Sequence, residues 1–209
     1  MRCNPCDSAE SASGSAARFV LYVEGPSDCD ILRTWARLVS PPLSRAVAES
    51  AVILGGRRPA RAVEHFRILS ADSGAGTGGV RGVCILDRDD HAGDESGEAP
   101  QGLEFFTWPR RHIESYLLVP TAMRRCMRMS AGDPRLGEVL GDLPRNGSEA
   151  GLRDLDAKRL LAGKSALARE LGVPLSPARI ARCMHRSDLH EDVLDLLDRL
   201  EAAADCERR

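Results

Sequence analysis

The chain has 209 residues and a mass of 22.6 kDa, enough for one ordinary domain with a small appendage. Its 43% hydrophobic and 29% charged residues are typical of a soluble globular protein and exclude a disordered or fibrous chain. A formal net charge of −2 excludes a globally basic nucleic-acid coat protein, so a polyanion has to be bound by a local patch.

The cysteine pattern and the hydropathy indicate a cytoplasmic protein. Seven scattered cysteines, an odd number, favour reduced thiols over a secreted disulfide scaffold. Cys3 and Cys6 alone have the spacing of a metal knuckle, which leaves a zinc site or a flexible tail as alternatives. No apolar run reaches the roughly 18 residues of a membrane span, and no signal peptide is evident, so no membrane partner is expected.

The first predicted elements are a strand and a helix. Residues 1–17 lack apolar periodicity and predict a disordered leader. Residues 19–23 form an almost continuous apolar run, which is typical of a buried parallel strand. Ser27 is a candidate cap for a helix over 28–39, which Pro41-Pro42 ends.

The strand and helix pattern then repeats. Strands are predicted over 51–54, 83–86 and 103–107, and a helix over 60–69. This alternation predicts an α/β fold of the Rossmann-like kind, with a mostly parallel sheet flanked by helices. We take 18–120 as the catalytic core.

No convincing strand follows Thr121. The periodicity predicts a C-terminal helical extension over 121–209 that packs on the core, with helices over 121–129, 155–171, 176–184 and 189–203.

Two glycine-containing segments resemble nucleotide-binding loops but lack their context. The G-x-G-x-x-G pattern at 74–79 precedes a strand instead of following one. Residues 163–165 (GKS) resemble the end of a phosphate-binding loop, yet Lys158 occupies the position that requires glycine. An ATPase activity of this chain is therefore not expected.

Acidic residues follow three of the predicted strands. They are Glu24, Asp28, Asp87, Asp89 and Glu114. The carboxyl ends of parallel strands line the ligand crevice of such a sheet, so these acids are expected to converge. Converging carboxylates repel one another unless they are protonated or hold a cation, and oxygen ligands suit Mg²⁺ or Mn²⁺. Two such ions would support phosphoryl transfer.

Two of these acids and a nearby lysine also have simpler interpretations. Asp28 can act only as a helix cap, and Glu114 can form a surface salt bridge with Arg110 or Arg111. Lys164 can cover apolar surface on a helix.

Four segments together resemble the Toprim domain of the OLD-family (overcoming lysogenisation defect) nucleases. They are 23–28 (VEGPSD), Gly55-Gly56, 85–89 (ILDRD) and 111–117 (RHIESYL), in the order found in that family. The resemblance continues into 161–165 (LAGKS) and the downstream helices, and thus covers about residues 18 to 200.

The resemblance implies a role for each matched residue. Glu24 would be the Toprim glutamate, which ligates metal or transfers a proton. Asp87 and Asp89 would be paired metal ligands, Asp28 and Glu114 would complete a two-metal cage, and Lys164 would neutralise charge on the scissile phosphate. His112 departs from the family pattern, since many relatives carry an acid there.

The resemblance also implies a function and a partner. The expectation is a stand-alone endonuclease that acts on DNA or RNA. Its expected cofactors are two Mg²⁺ or Mn²⁺ ions. The family often joins this domain to an ABC-type ATPase, so a separate ATPase partner and a role in anti-phage defence are expected. A homodimer is an open alternative for the assembly.

Basic residues near Glu114 are candidates for the nucleic-acid surface. Arg110, Arg111, Arg124 and Arg125 could follow a phosphate backbone, with Trp108 and Tyr116 stacking on a base. A solvated helical face is the alternative interpretation of the same residues.

Two other functions remain open at this point. Residues 85–89 also resemble the aspartate motif of haloacid-dehalogenase-like phosphatases, but that interpretation leaves Glu24 without a role. The other alternative is a non-catalytic Toprim-like module that regulates an ATPase.

Overall fold

A parallel sheet with helices on both faces organises the computed structural model of the chain. The structure describes residues 18–72, 79–88, 99–130, 133–134, 149–172 and 175–204. The strands are β1 (Arg18–Val23), β2 (Ala51–Ile53), β3 (Val80–Leu86) and β4 (Leu103–Thr107). The helices between them are α1 (Pro26–Val39), α2 (Pro41–Ser50) and α3 (Pro59–Asp72).

Short helices follow β4. A 3₁₀ helix covers Ile113–Leu117 and a second one Arg186–Asp188. The α-helices are α4 (Pro120–Met127), α5 (Glu149–Arg153), α6 (Ala157–Leu160), α7 (Ala166–Leu171), α8 (Pro177–Arg182) and α9 (Glu191–Ala203). None of the helices in the described ranges combines the length and apolarity needed to cross a bilayer.

The four described strands run parallel in the order β2-β1-β3-β4. Val23 of β1 pairs with Ile53 of β2, and Leu21 pairs with Val83 of β3. The chain therefore winds to one side of β1 and then to the other, and the direction of winding changes between β1 and β3. This confirms the predicted α/β fold, and it places a crevice at the carboxyl ends of β1 and β3.

Burial on both faces explains the continuous apolar run of β1. Leu21 and Val23 enter the larger apolar cluster, which α1, α2, α4, α8 and α9 share. Val20 and Tyr22 enter a smaller cluster on the other face, under α3. A strand buried on both faces needs no polar alternation.

The C-terminal helices belong to the larger cluster. The indole N–H of Trp35 in α1 donates to the Met184 sulfur at 3.2 Å, and both side chains are buried. The predicted helices over 121–129, 176–184 and 189–203 are confirmed as α4, α8 and α9. The predicted leader over 1–17 lies outside the described residues.

Three local predictions differ from the structure. The predicted helix over 155–171 is divided into α6 and α7, because Ser165 caps α7 by accepting from the Ala168 N–H at 3.1 Å. Gly25, not Ser27, is the N-cap of α1. Pro41-Pro42 ends α1 as predicted, but Ser40 caps a new helix there, since its hydroxyl accepts from the Leu43 N–H.

Gly82 lets α3 pack closely against β3. A Cβ atom at this position would lie 2.8 Å from Phe66 Cε2 and 3.0 Å from Leu103 Cδ1. Since Phe66 is fully buried, we expect Gly82→Ala to lower the free energy of unfolding by about 1–3 kcal/mol. Urea denaturation measures this change. Gly163→Ala is the matched control, because its Cβ would meet only the Leu175 carbonyl at 3.8 Å. Equal stabilities of the two variants would contradict the packing argument.

Candidate active site

Glu24 and Asp87 meet where the winding of the sheet reverses. Each directly follows a strand, β1 for Glu24 and β3 for Asp87. Glu24 Oε1 accepts a hydrogen bond from the Asp87 backbone N–H at 2.8 Å. The Glu24 carbonyl accepts from the N–H groups of Gly55 and Gly56 at 3.0 and 2.9 Å. Those glycines have φ angles of +77° and +107°, which side-chain-bearing residues rarely adopt. The loop after β2 thus fixes the end of β1.

Asp28 faces the same crevice from the first turn of α1. Its Oδ2 accepts from the Gly25 N–H at 2.9 Å, so it does act as a helix cap. Burial and then the negative charge of Asp87 raise its pKa to about 6. The capping interpretation and the active-site interpretation are therefore compatible for this residue.

Glu114 is buried in the 3₁₀ helix after β4. Its side chain is 5% exposed, and its Oε2 has no hydrogen-bond partner among the described residues. Burial is the main reason why its pKa rises to about 7, and the charges of Asp87 and Asp28 add to this effect. Arg110 pairs elsewhere, so the structure offers no support for a Glu114–Arg110 surface salt bridge. A buried acid without a partner for one oxygen is well placed to ligate a cation.

Asp87 is the most enclosed acid of the site, at 3% exposure. Its Oδ1 accepts from the Ile113 N–H at 3.0 Å, and its Oδ2 pairs with Lys158 Nζ. Arg57, in the loop after β2, donates to the Asp87 backbone carbonyl. Asp87 thereby connects the end of β3 to the 3₁₀ helix, to α6 and to the β2 loop.

Lys158, not Lys164, supplies the lysine of this site. Lys158 lies on α6, which Asp156 caps by accepting from the Arg159 N–H at 3.0 Å. Burial opposes the charge on Lys158, but the hydrogen bond to Asp87 and the charges of Asp87, Glu114 and Asp28 raise its pKa above the ordinary value. Lys164 is exposed and lines a different surface depression with Asp156 and Arg169.

The sequence resemblance and the structure favour different lysines, and the difference has a physical explanation. The sequence contains two lysines, and the resemblance favoured the one next to glycine and serine. The structure places Gly163 and Ser165 in the turn between α6 and α7, where Lys164 lines a depression with Asp156 and Arg169. The sequence signal that could have indicated Lys158 was the presence of this second lysine just before the turn.

The predicted nucleic-acid surface is only partly supported. Arg110 is buried, forms a two-pronged ion pair with Glu149 at 2.8 and 2.9 Å, and lies over the Tyr116 ring. Arg125 pairs with Asp188 and donates to the Cys183 carbonyl at 2.8 Å. These two arginines therefore hold the C-terminal helices in place.

The remaining members of that surface differ from one another. Trp108 and Tyr116 are 1% and 2% exposed, so neither can stack on a base as predicted. Arg124 lies on α4 beside Arg125 and is partly exposed. Arg111 lies two residues before Ile113, and its backbone N–H donates to the Arg153 carbonyl at 2.8 Å.

Asp89, the remaining predicted metal ligand, lies outside the described residues.

A second polar group contains Glu149, His190 and Asp192, whose ligand atoms lie within 4.8 Å of one another. Arg110 already neutralises Glu149, and the Tyr116 hydroxyl donates to Asp192 at 2.6 Å. The Asp192 N–H donates to His190 Nδ1 at 3.2 Å. Because each of these groups has an internal partner, we interpret the cluster as a structural network that joins the segment after β4 to α5 and α9.

The residues at the carboxyl ends of β1 and β3 fit a divalent cation. The four acids Glu24, Asp28, Asp87 and Glu114 offer only oxygen ligands, which Mg²⁺ and Mn²⁺ prefer. Glu114 Oε2 has no hydrogen-bond partner among the described residues, and burial, with the charges of the neighbouring acids, raises the pKa of Asp28 and of Glu114. A bound cation would favour the ionised form of both acids. We call this set of four acids and Lys158 the acidic centre.

The acidic centre predicts an unusual dependence of stability on pH. Asp28 and Glu114 have ordinary pKa values of 3.8 and 4.5, which rise to about 6 and about 7 in the folded protein. The folded state thus binds these protons more tightly than the unfolded chain does, so without metal the stability should fall as pH rises through this window. For Glu114 the loss is about 3 kcal/mol.

Thermal unfolding in EDTA from about pH 5 to about pH 8 tests this expectation. The melting temperature should fall with pH, Glu114→Gln should reduce the slope, and Mg²⁺ should raise the melting temperature most at the upper end of the range. A wild-type slope equal to that of Glu114→Gln would show that Glu114 does not titrate there.

Comparisons of the chain with protein-family models, with curated proteins and with solved structures gave no match.

Proposed function

We propose that the protein is a metal-dependent hydrolase of nucleic-acid phosphodiesters, with Mg²⁺ or Mn²⁺ as its cofactor. The observation that carries the proposal is the acidic centre itself. Four acids from three separate segments of the chain meet at the carboxyl ends of β1 and β3, and a lysine lies against one of them. The motif resemblance to the Toprim domain of OLD-family nucleases points to the same activity.

Each residue of the acidic centre has a role in this chemistry. Asp87 and Glu114 would hold a cation together, and Asp28 and Glu24 would extend the ligand set toward a second one. A cation held by these residues would supply Lewis-acid chemistry, which polarises a phosphodiester and activates a water molecule. Glu24 can alternatively transfer a proton, which is the second role that the resemblance implies for this glutamate.

Lys158 would stabilise the negative charge that develops on the phosphate. Its ammonium group pairs with Asp87 Oδ2, so it already lies at the ligand oxygens. A preorganised cation in a partly buried site stabilises a developing oxyanion more than one in water does. The ammonium would act on the transition state and leave substrate binding largely unchanged.

A wider proposal follows from the resemblance alone. It places the protein in the cytoplasm as the effector of an anti-phage defence system, acting with a separate ATPase.

The test is a cleavage assay with supercoiled plasmid and, separately, total tRNA, in Mg²⁺, Mn²⁺ or EDTA. We expect cleavage only with metal, and a loss of about a hundredfold or more in Asp28→Asn. Asp30→Asn is the matched control on the same helix, since Asp30 is exposed and pairs only with Arg33 among the described residues. Cleavage in EDTA, or equal rates for both variants, would contradict the proposal. No cleavage of either substrate with any metal would favour the non-catalytic module.

A further inference from the structure

Three arginines converge on one exposed carboxylate beside the acidic centre. Arg88 pairs with Asp154, and its Nη2 donates to the Arg153 carbonyl at 2.8 Å. The Arg111 N–H donates to the same carbonyl at 2.8 Å. The hydrogen bond from Arg88 and the charges of Arg88, Arg153 and Arg111 lower the pKa of Asp154. Asp154 thus pairs with Arg88 and lies within the electrostatic influence of Arg153 and Arg111, while Arg153 Nε donates to the Pro109 carbonyl at 3.3 Å. One carboxylate faces three positive charges, so the group carries excess positive charge. We call these four residues the arginine cluster.

Each arginine of the arginine cluster is close in sequence to a residue that forms or contacts the acidic centre. Arg88 directly follows Asp87. Arg111 lies two residues before Ile113, whose N–H donates to Asp87 Oδ1. Arg153 ends α5, a few residues before Lys158 on α6. A phosphodiester chain with one phosphate at the acidic centre would therefore pass the cluster with a neighbouring phosphate.

The cluster is accessible and has donors to offer. The Asp154 side chain is 77% exposed and the Arg88 side chain 34% exposed. Arg88 Nη2 donates to Asp154 and to the Arg153 carbonyl, and a phosphate that displaced Asp154 would take over the first of these hydrogen bonds. A guanidinium group binds carboxylate and phosphate oxygens alike, so a phosphate can take the place of Asp154 at Arg88.

We propose that Arg88, Arg111 and Arg153 bind a backbone phosphate next to the phosphodiester that is cleaved, and that this phosphate displaces Asp154. The proposal rests on the proposed function, and it names the surface that holds the strand. Of the arginines that the sequence predicts for the nucleic-acid surface, Arg111 belongs to this phosphate-binding group. Arg110 is excluded because its side chain is only 8% exposed, and Arg125 is excluded because its partner Asp188 is 10% exposed and therefore shielded from an incoming phosphate.

The test is a binding measurement that needs no cleavage. The probe is a fluorescein-labelled single strand of about 20 nucleotides, as DNA and as RNA of the same sequence, followed by anisotropy in EDTA over a salt series. We expect Arg88→Ala and Arg153→Ala each to weaken binding by roughly tenfold and to reduce the slope of log K against log salt by about one. Asp154→Asn should tighten binding severalfold, which a folding defect cannot produce. Arg67→Ala, an exposed arginine on α3, is the control and should bind as the wild type does.

The outcomes separate this proposal from the proposed function. Wild-type binding of both probes with unchanged affinity in the Arg88 and Arg153 variants would overturn it, as would an absence of binding or an Asp154→Asn variant no tighter than wild type. If metal-dependent cleavage persists in that case, the hydrolase proposal is kept and the phosphate-binding proposal is rejected. If the arginine variants weaken binding but the wild type never cleaves, the phosphate-binding proposal is kept and the hydrolase proposal is rejected. Tighter binding of one probe would identify DNA or RNA as the strand.

Discussion

Asp87→Asn is expected to reduce metal-dependent cleavage by about three orders of magnitude or more, while the protein stays folded. Asparagine has the same shape and can still accept from the Ile113 N–H, so the link between β3 and the 3₁₀ helix is kept. The substitution removes the negative charge that a cation needs, and it deprives Lys158 of its partner. Initial rates of plasmid nicking at saturating Mg²⁺ measure the effect.

The control for Asp87→Asn is an acid of no expected catalytic importance. Asp195 on α9 is 58% exposed, and Asp195→Asn should cleave at the wild-type rate. Far-ultraviolet circular dichroism of both variants should match that of wild type. A fully folded Asp87→Asn variant that cleaves normally would refute the acidic centre as the active site.

Lys158→Met is expected to lower kcat by about a hundredfold with little change in KM, whereas Lys164→Met should stay within about twofold of wild type. Methionine keeps most of the apolar stem but removes the ammonium group that pairs with Asp87. Lys164 is exposed and contributes to a different depression of the surface. Single-turnover rates with metal in excess measure the chemical step directly.

The paired lysine variants decide between two assignments. A large loss in Lys164→Met with normal activity in Lys158→Met would restore the lysine that the sequence resemblance favours. Lys158→Arg adds a further check, since it keeps the charge but changes the shape of the donor, and partial activity is expected.

The strands and the position of the acids could be predicted from the sequence because they depend on local pattern. The apolar run of β1 and the acids that follow β1 and β3 predict a parallel sheet with a crevice at its carboxyl end. Glu24, Asp28, Asp87 and Glu114 all lie where that argument places them. The same argument could not supply α2, because Pro41-Pro42 ends one helix and begins another.

The cationic part of the site depends on long-range packing and could not be predicted. Arg110 was placed on a nucleic-acid surface, but Glu149, far along the chain, pairs with it. The choice between Lys158 and Lys164 depended on where one helix breaks into α6 and α7. Such pairings leave no periodic signal in a single sequence, since each depends on how distant segments dock.

Lys158 comes late in the sequence, and this has a consequence for the synthesis of the protein. Lys158 lies 71 residues after Asp87, so at ordinary rates of translation it leaves the ribosome roughly 4 to 14 seconds later. During that interval Glu24, Asp28 and Asp87 are already synthesised, while no ammonium group is present to balance them. Until then these acids stay ionised only while water still solvates them, and burying them earlier would require bound protons or divalent ions. Its electrostatic balance is therefore among the last properties that the growing polypeptide acquires.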